Sequence, residues 1–261
     1  MIVTERALGL LVLISLVLAM YWRMQQAKKG PLPDVRPIPG LDALSEAVGR
    51  ATELGRPVHY STGIGALDNE FAPQTLAGLG MLQHVSKLCA EYDTKIINTV
   101  CNAVVFPVAQ EMVKAGLSEA GKPELWTEDM CRYLSQEQFA YAAGAMGTMQ
   151  REKVAANIMI GAFYAEALLL AEAGFQAGAI QVGSTARMYQ LAFFVIVCDY
   201  CLIGEEMFAA SAYVTRDAER LGCLAGQDLG KIVSAALVGV GAILATLNIN
   251  VLTQFLTQYG R

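Results

Sequence analysis

Two stretches without a charged residue stand near the two ends of this chain, residues 7–22 (ALGLLVLISLVLAMYW) and residues 232–247 (IVSAALVGVGAILATL). As a helix each is about 24 Å long, somewhat short of a bilayer hydrocarbon core of about 30 Å. Ile2 and Val3 extend the first run, the stem of Arg6 lets its charge reach the interface, and Tyr21 and Trp22 suit the headgroup level. A cleaved signal peptide is the rival reading. Against it, Glu5 offsets Arg6 ahead of the run, and no A-x-A site follows it. For the second run the rival is a buried core helix, but Lys231 before it and Asn248 and Asn250 after it favour a span. Within this run Ala235 and Gly239, and again Gly241 and Ala245, have the small-xxx-small spacing that lets helix backbones approach in lipid. The pattern predicts an amino-terminal anchor over residues 1–24 and a second transmembrane helix over 229–250.

Between the two runs the pattern changes. Residues 25–40 form a linker whose second half, GPLPDVRPIPG, carries four prolines and reads as stiff and extended. Residues 41–54 place Leu41, Leu44, Val48 and Ala51 on one side of an amphipathic helix. Short apolar runs then alternate with helical segments. Strands are expected over 57–61, 95–100, 154–160, 177–182 and 193–198, with helices over 73–92, 105–116, 134–149, 163–174 and 204–214. The strands are continuous apolar runs, as strands buried on both faces are. Strands separated by helices imply an α/β domain over 41–228, with a mainly parallel sheet and helices on both faces.

Composition agrees with a soluble domain held by two membrane helices. Of 261 residues, 54% are hydrophobic and 16% charged, against about 25% charged in an ordinary soluble domain. Mean hydropathy is +0.40. Flanking charge orients both spans the same way: Arg23, Lys28, Lys29 and Arg36 follow the first run, and Arg216, Arg220 and Lys231 precede the second. The positive-inside rule then places the domain in the cytoplasm and both termini outside, with the inner membrane as the location. The tail over 251–261 aligns Val251, Leu252, Phe255, Leu256 and Tyr259 as an amphipathic outer helix. Net charge is −5 with no basic patch, which argues against nucleic acid as a partner. The six cysteines lie in apolar segments without disulfide-framework spacing, and two histidines are too few for a histidine-rich metal site. No cofactor and no metal is expected.

Candidate chemistry gathers at expected strand ends. Ser61, Thr62, Gly63, Ile64 and Gly65 follow a strand at the edge where α/β sheets bind ligands, and a glycine turn there can offer backbone N–H groups to an anion. The pattern lacks the third glycine and any phosphate-loop lysine, so a tight turn is the plainer reading. Gly183, Ser184 and Thr185, after the strand expected to end at Val182, would line the same crevice or cap a helix. Asp199 and Glu205, with Glu206, suggest carboxylates at that edge; Glu166 and Glu172, six apart, do not share a helix face. Cys198 and Cys201 have redox-dithiol spacing, but the next helix is expected to begin near Gly204 rather than at the first cysteine. His59 has no Ser, Cys or Asp partner placed for it and reads as structural.

RPVHYSTGIG (56–65), QTLAGLGMLQHV (74–85), ANIMIGAFYAEALLLAEAG (156–174), CDYCLIGEEMFAASAY (198–213) and GQDLGK (226–231) occur in this order. In them the chain resembles an uncharacterised family of prokaryotic membrane proteins, a domain of unknown function. The resemblance covers most of residues 39–231 and implies a soluble α/β domain tied to the membrane, with no assigned reaction. Three functions remain open. They are a scaffold self-associating with other copies, and with other membrane proteins, through its domain and paired membrane helices; a membrane-tethered small-ligand sensor using the crevice; and an enzyme using Asp199, Glu205 or Glu206.

Overall fold

The computed structural model describes residues 7–30, 38–215 and 218–247. The outer tail and most of the proline-rich linker lie outside these residues. The chain divides into two compact units: the pair of terminal segments, and residues 37–215.

In the second unit, six strands form one all-parallel sheet: β1 (Val58–Gly63), β2 (Ile96–Val100), β3 (Cys131–Tyr133), β4 (Ala156–Ala162), β5 (Ile180–Thr185) and β6 (Tyr200–Ile203). Their spatial order is β3-β2-β1-β4-β5-β6, every neighbouring pair parallel. The order reverses between β1 and β4, which makes that junction the topological switch point. Parallel neighbours need helical crossovers, and these are α3 (Ala72–Glu91), α4 (Val105–Glu119), α5 (Gln138–Glu152), α6 (Glu166–Ala177) and α7 (Met188–Val197), flanked by α2 (Pro39–Glu53) and α8 (Glu206–Thr215).

Alternation along the strands sorts side chains between two cores. Val58, Tyr60, Ile96, Ile158, Ile160, Val182 and Leu202 meet α2, α3, α4 and α8 on one face. On the other, Met159 and Phe163 pack with Tyr141, Leu170 and Phe194 from α5, α6 and α7. A wholly buried side chain such as Phe163 contributes about 1.5–3 kcal/mol. The contact of α3 with β4 depends on Gly78, where a Cβ would lie 2.3 Å from the Ile160 carbonyl oxygen. Tyr60 then donates its hydroxyl to the Gly78 carbonyl at 2.6 Å.

The sheet and its helices match the expected fold class, with local corrections. The run expected as a strand over 193–198 is the end of α7, because a parallel β5-to-β6 connection requires a helix there. A short apolar run fits either element on periodicity alone. The last strand is instead β6, and β3, three residues long, carries no apolar run that would announce it. Gly183, Ser184 and Thr185 lie inside β5 rather than after it.

In the first unit, α1 (Ala7–Lys29) and α9 (Ala218–Thr246) run antiparallel side by side. Among the described residues two helices are long and apolar enough to cross a membrane, Gly9–Lys29 and Leu221–Leu244, and almost none of either is buried. Their seam is made by Gly222, Gly226 and Gly230. A Cβ there would lie 2.6 Å from Met24 Cα, 2.7 Å from Met20 Cα and 2.8 Å from Leu16 Cδ2. Spaced four apart, they form one continuous furrow that admits α1. Gly239, by contrast, has nothing within 4 Å of its Cβ position. The expected packing positions Ala235 and Gly239 thus lie on the side of α9 away from α1, a half-turn from Gly226.

Candidate functional site

The carboxyl ends of β1 and β4 are where a fold of this topology opens a crevice. Here the glycine turn closes against protein. Gly63 has φ +74°, a value that disfavours other residues, and its Cβ would lie 2.0 Å from the Ala162 carbonyl oxygen. The Gly63 N–H donates to Ser61 Oγ at 3.0 Å and the Ile64 N–H to the Ala162 carbonyl at 2.9 Å. At Gly65 a Cβ would meet Thr75 Oγ1 at 2.2 Å and Ala162 Cβ at 3.0 Å. Two amides that would cradle an anion are therefore engaged inside the protein.

The other expected residues are similarly committed. Ser184 donates to the Leu202 carbonyl at 3.1 Å, and Thr185 to Gln74 Oε1 at 3.4 Å. Gly183 gives room to α7, since a Cβ would lie 2.7 Å from Cys198 Sγ and 2.9 Å from Phe194 Cδ1. Thr62 Oγ1 is buried with no protein partner. Asp199 does not join this edge: it precedes β6 and accepts the Gln181 N–H, near the start of β5, at 2.8 Å. Glu205 and Glu206 follow β6 at the opposite, carboxyl edge, where Glu206 accepts the Ile203 N–H at 2.9 Å. The expected carboxylate cluster is thus divided between the two ends of the sheet, a consequence of the chain entering β6 after Asp199 instead of leaving a strand before it. Cys198 ends α7 and Cys201 lies in β6. Their mutual hydrogen bond raises the Cys198 pKa and lowers that of Cys201, with no helix amino terminus at the first thiol to activate it.

The crest of the switch point is built from residues the sequence reading did not combine. Arg187, between β5 and α7, stacks its guanidinium 4.0 Å from the Phe71 ring centre and 4.2 Å from that of Tyr164. The two rings meet edge to face at 5.7 Å. Glu166, at the start of α6, is fully buried and accepts the Tyr164 N–H at 2.9 Å and the Gln138 side-chain amide. Burial raises its pKa, with those hydrogen bonds and Arg187 opposing. Glu172 is exposed and holds Gln176 at 2.9 Å. The available signals were an acidic residue opening a helix and an arginine just past a strand. Both are common, and neither announces the other.

Across the α5–α6–α7 face runs a chain of buried hydrogen bonds. Asn157 donates its amide to Gln181 Oε1 at 3.1 Å and to the Leu170 carbonyl at 3.3 Å, so its Oδ1 accepts from His59 Nδ1 at 2.8 Å. His59 Nε2 must then accept from Thr99 Oγ1 at 2.9 Å. Tyr141 bonds Thr99 Oγ1 at 3.2 Å and Ser61 Oγ at 2.6 Å. Burial lowers the His59 pKa to about 4, opposed by Asn157 and assisted by Arg132. Neutral and engaged at both nitrogens, His59 is a cross-strand tie, with no nitrogen free to act as a base. Among the described residues no group of three or more His, Cys, Asp or Glu side chains is gathered to hold a metal ion.

No curated protein and no solved structure matches the chain. A family model, the domain of unknown function DUF6754, matches residues 1–256. This sequence, with its six-stranded parallel sheet and two flanking apolar helices, belongs to the DUF6754 family.

Proposed function

We propose that this protein is a membrane-anchored structural element. Its α1–α9 pair holds the α/β domain at the cytoplasmic face of the inner membrane, where copies associate into a scaffold. One observation carries the reading: α9 uses one glycine furrow to seat α1, and both helices leave their remaining apolar surface uncovered. Leu11, Leu13 and Leu18 of α1 and Ile232, Val238 and Ile243 of α9 are all exposed. A core helix of a soluble protein would be mostly buried; lipid is the solvent that suits these faces. The Ala235–Gly239 side of α9, open and small, fits a second α9. The flanking basic residues support the cytoplasmic placement.

The test is twofold. The full chain should stay with membranes after alkaline carbonate washing, and in mild detergent its native mass should be a multiple of one 28.0 kDa chain. Release by carbonate removes the anchor, and a strictly monomeric particle removes the scaffold.

A second reading, a tethered small-ligand sensor, is favoured by the Arg187 stack over Phe71 and Tyr164 and by the orphan Thr62 hydroxyl at the switch point. Its test is a screen of anionic and aromatic metabolites for a rise in the melting temperature of the full chain that Arg187→Ala abolishes. The enzyme reading keeps only part of its expected cluster, since Asp199 lies at the opposite end of the sheet from Glu205 and Glu206.

A further inference from the structure

The helix that replaces an expected strand, α7, is apolar on both sides. Its inner side seats Leu191 and Phe194 in the core. Its outer side presents Met188, Tyr189, Phe193, Val195 and Ile196 to the surface, with Ile203 of the edge strand β6 also exposed. Ile196 is 80% and Met188 76% accessible. Surface helices of soluble domains place polar side chains outward, and a contiguous apolar patch of this kind marks an interface. Taken from the fractional exposures and the full areas of such side chains, the patch offers roughly 700 Å², close to the roughly 800 Å² per partner of a standard stable protein interface.

We infer that this face is where the α/β domains of two copies meet, α7 against α7. The inference rests on the self-association proposed above and names the surface used by the soluble unit. Two candidate occupants differ in what they require. A bilayer surface with anionic lipids attracts lysine and arginine, yet the charged residues around α7 and β6 are Arg187, already stacked on Phe71 and Tyr164 and bonded to Tyr189, against Asp199, Glu205 and Glu206, a net acidic set. A second copy requires an apolar centre rich in aromatic and Met side chains with charge kept to the rim, and that is the composition of α7. Tethering both copies in one membrane raises their effective concentration, so a patch of standard size suffices.

Two measurements on the full chain test this. The first is the native mass in mild detergent over a dilution series, for the natural protein and for Ile196→Asp. The exposed position should leave the melting temperature of the α/β domain unchanged, while the dissociation midpoint moves at least about tenfold higher in concentration. The second places a photoreactive benzoylphenylalanine at position 196 in membranes holding mixed light and heavy-isotope chains. Mixed-isotope adducts between two α7 segments are expected. Adducts to lipid, to the chain's own tail or to another protein overturn the inference, as does a mass series that Ile196→Asp leaves unmoved. A natural protein that is monomeric throughout overturns the scaffold itself, whereas an oligomer indifferent to Ile196→Asp overturns this face alone.

Discussion

Replacing His59 by glutamine removes the one imidazole of the cross-strand chain, and its consequence is read best as a pH dependence. In the folded protein His59 takes up a proton only near pH 4, against 6.5 for an ordinary histidine, because burial penalises the charged ring. The unfolded chain therefore binds this proton first on acidification. Between those two values acid favours unfolding, and the stability that neutral His59 preserves is fully present only above the unfolded value. Worked through the two pKa values, the loss between pH 7 and pH 5 is about 2 kcal/mol, rising toward about 3 kcal/mol below pH 4. Other groups titrate in the same range. Glu166, its pKa raised by burial, works in the opposite sense, since acid favours the state in which it is protonated. The informative quantity is thus the difference between the natural protein and His59→Gln. Urea unfolding of the full chain in mild detergent, followed by circular dichroism at several pH values, should give a steeper acid loss for the natural protein by about 2 kcal/mol at pH 5. Parallel pH profiles would refute the assignment of His59 as a neutral, doubly engaged tie.

Asn157→Leu should destabilise the α/β domain by about 2–5 kcal/mol in the same assay, because the His59 Nδ1–H and Gln181 Oε1 both lose their partner in the core; a change within about 0.5 kcal/mol would show that neither bond matters. Gly226→Ile should part α1 from α9, since even a Cβ would lie 2.7 Å from Met20 Cα, and over-packing of this kind costs about 1–3 kcal/mol. A cross-link between cysteines placed at Met20 and Ala225 should then form more slowly. Gly239→Ile should leave that cross-link intact while lowering the native mass, because the Gly239 side of α9 is open. Gly183→Ala should lower the melting temperature of the domain by pressing on Cys198 Sγ and Phe194, whereas an unchanged value would show that α7 has room to shift.

The sequence by itself determined whatever follows from local pattern. Continuous apolar strands between helical segments demanded a parallel α/β sheet, and long uncharged runs demanded two helices of membrane length. Both depend on periodicity and length, which neighbours do not alter. Three things were decided only in three dimensions. LAFFVIV satisfies a buried strand and a buried helix equally, and it became α7 because β5 and β6 run parallel and need a crossover. That choice moved Asp199 to the far end of the sheet and turned an apolar face outward. Small residues recur along α9 at helical spacing on two sides, and which side receives α1 depends on the partner's surface, so Gly222, Gly226 and Gly230 make the seam while Ala235 and Gly239 stay open. His59, Asn157, Thr99 and Tyr141 come from four separate elements. No local signal links them, because their hydrogen bonds exist only once strand order and register bring them side by side.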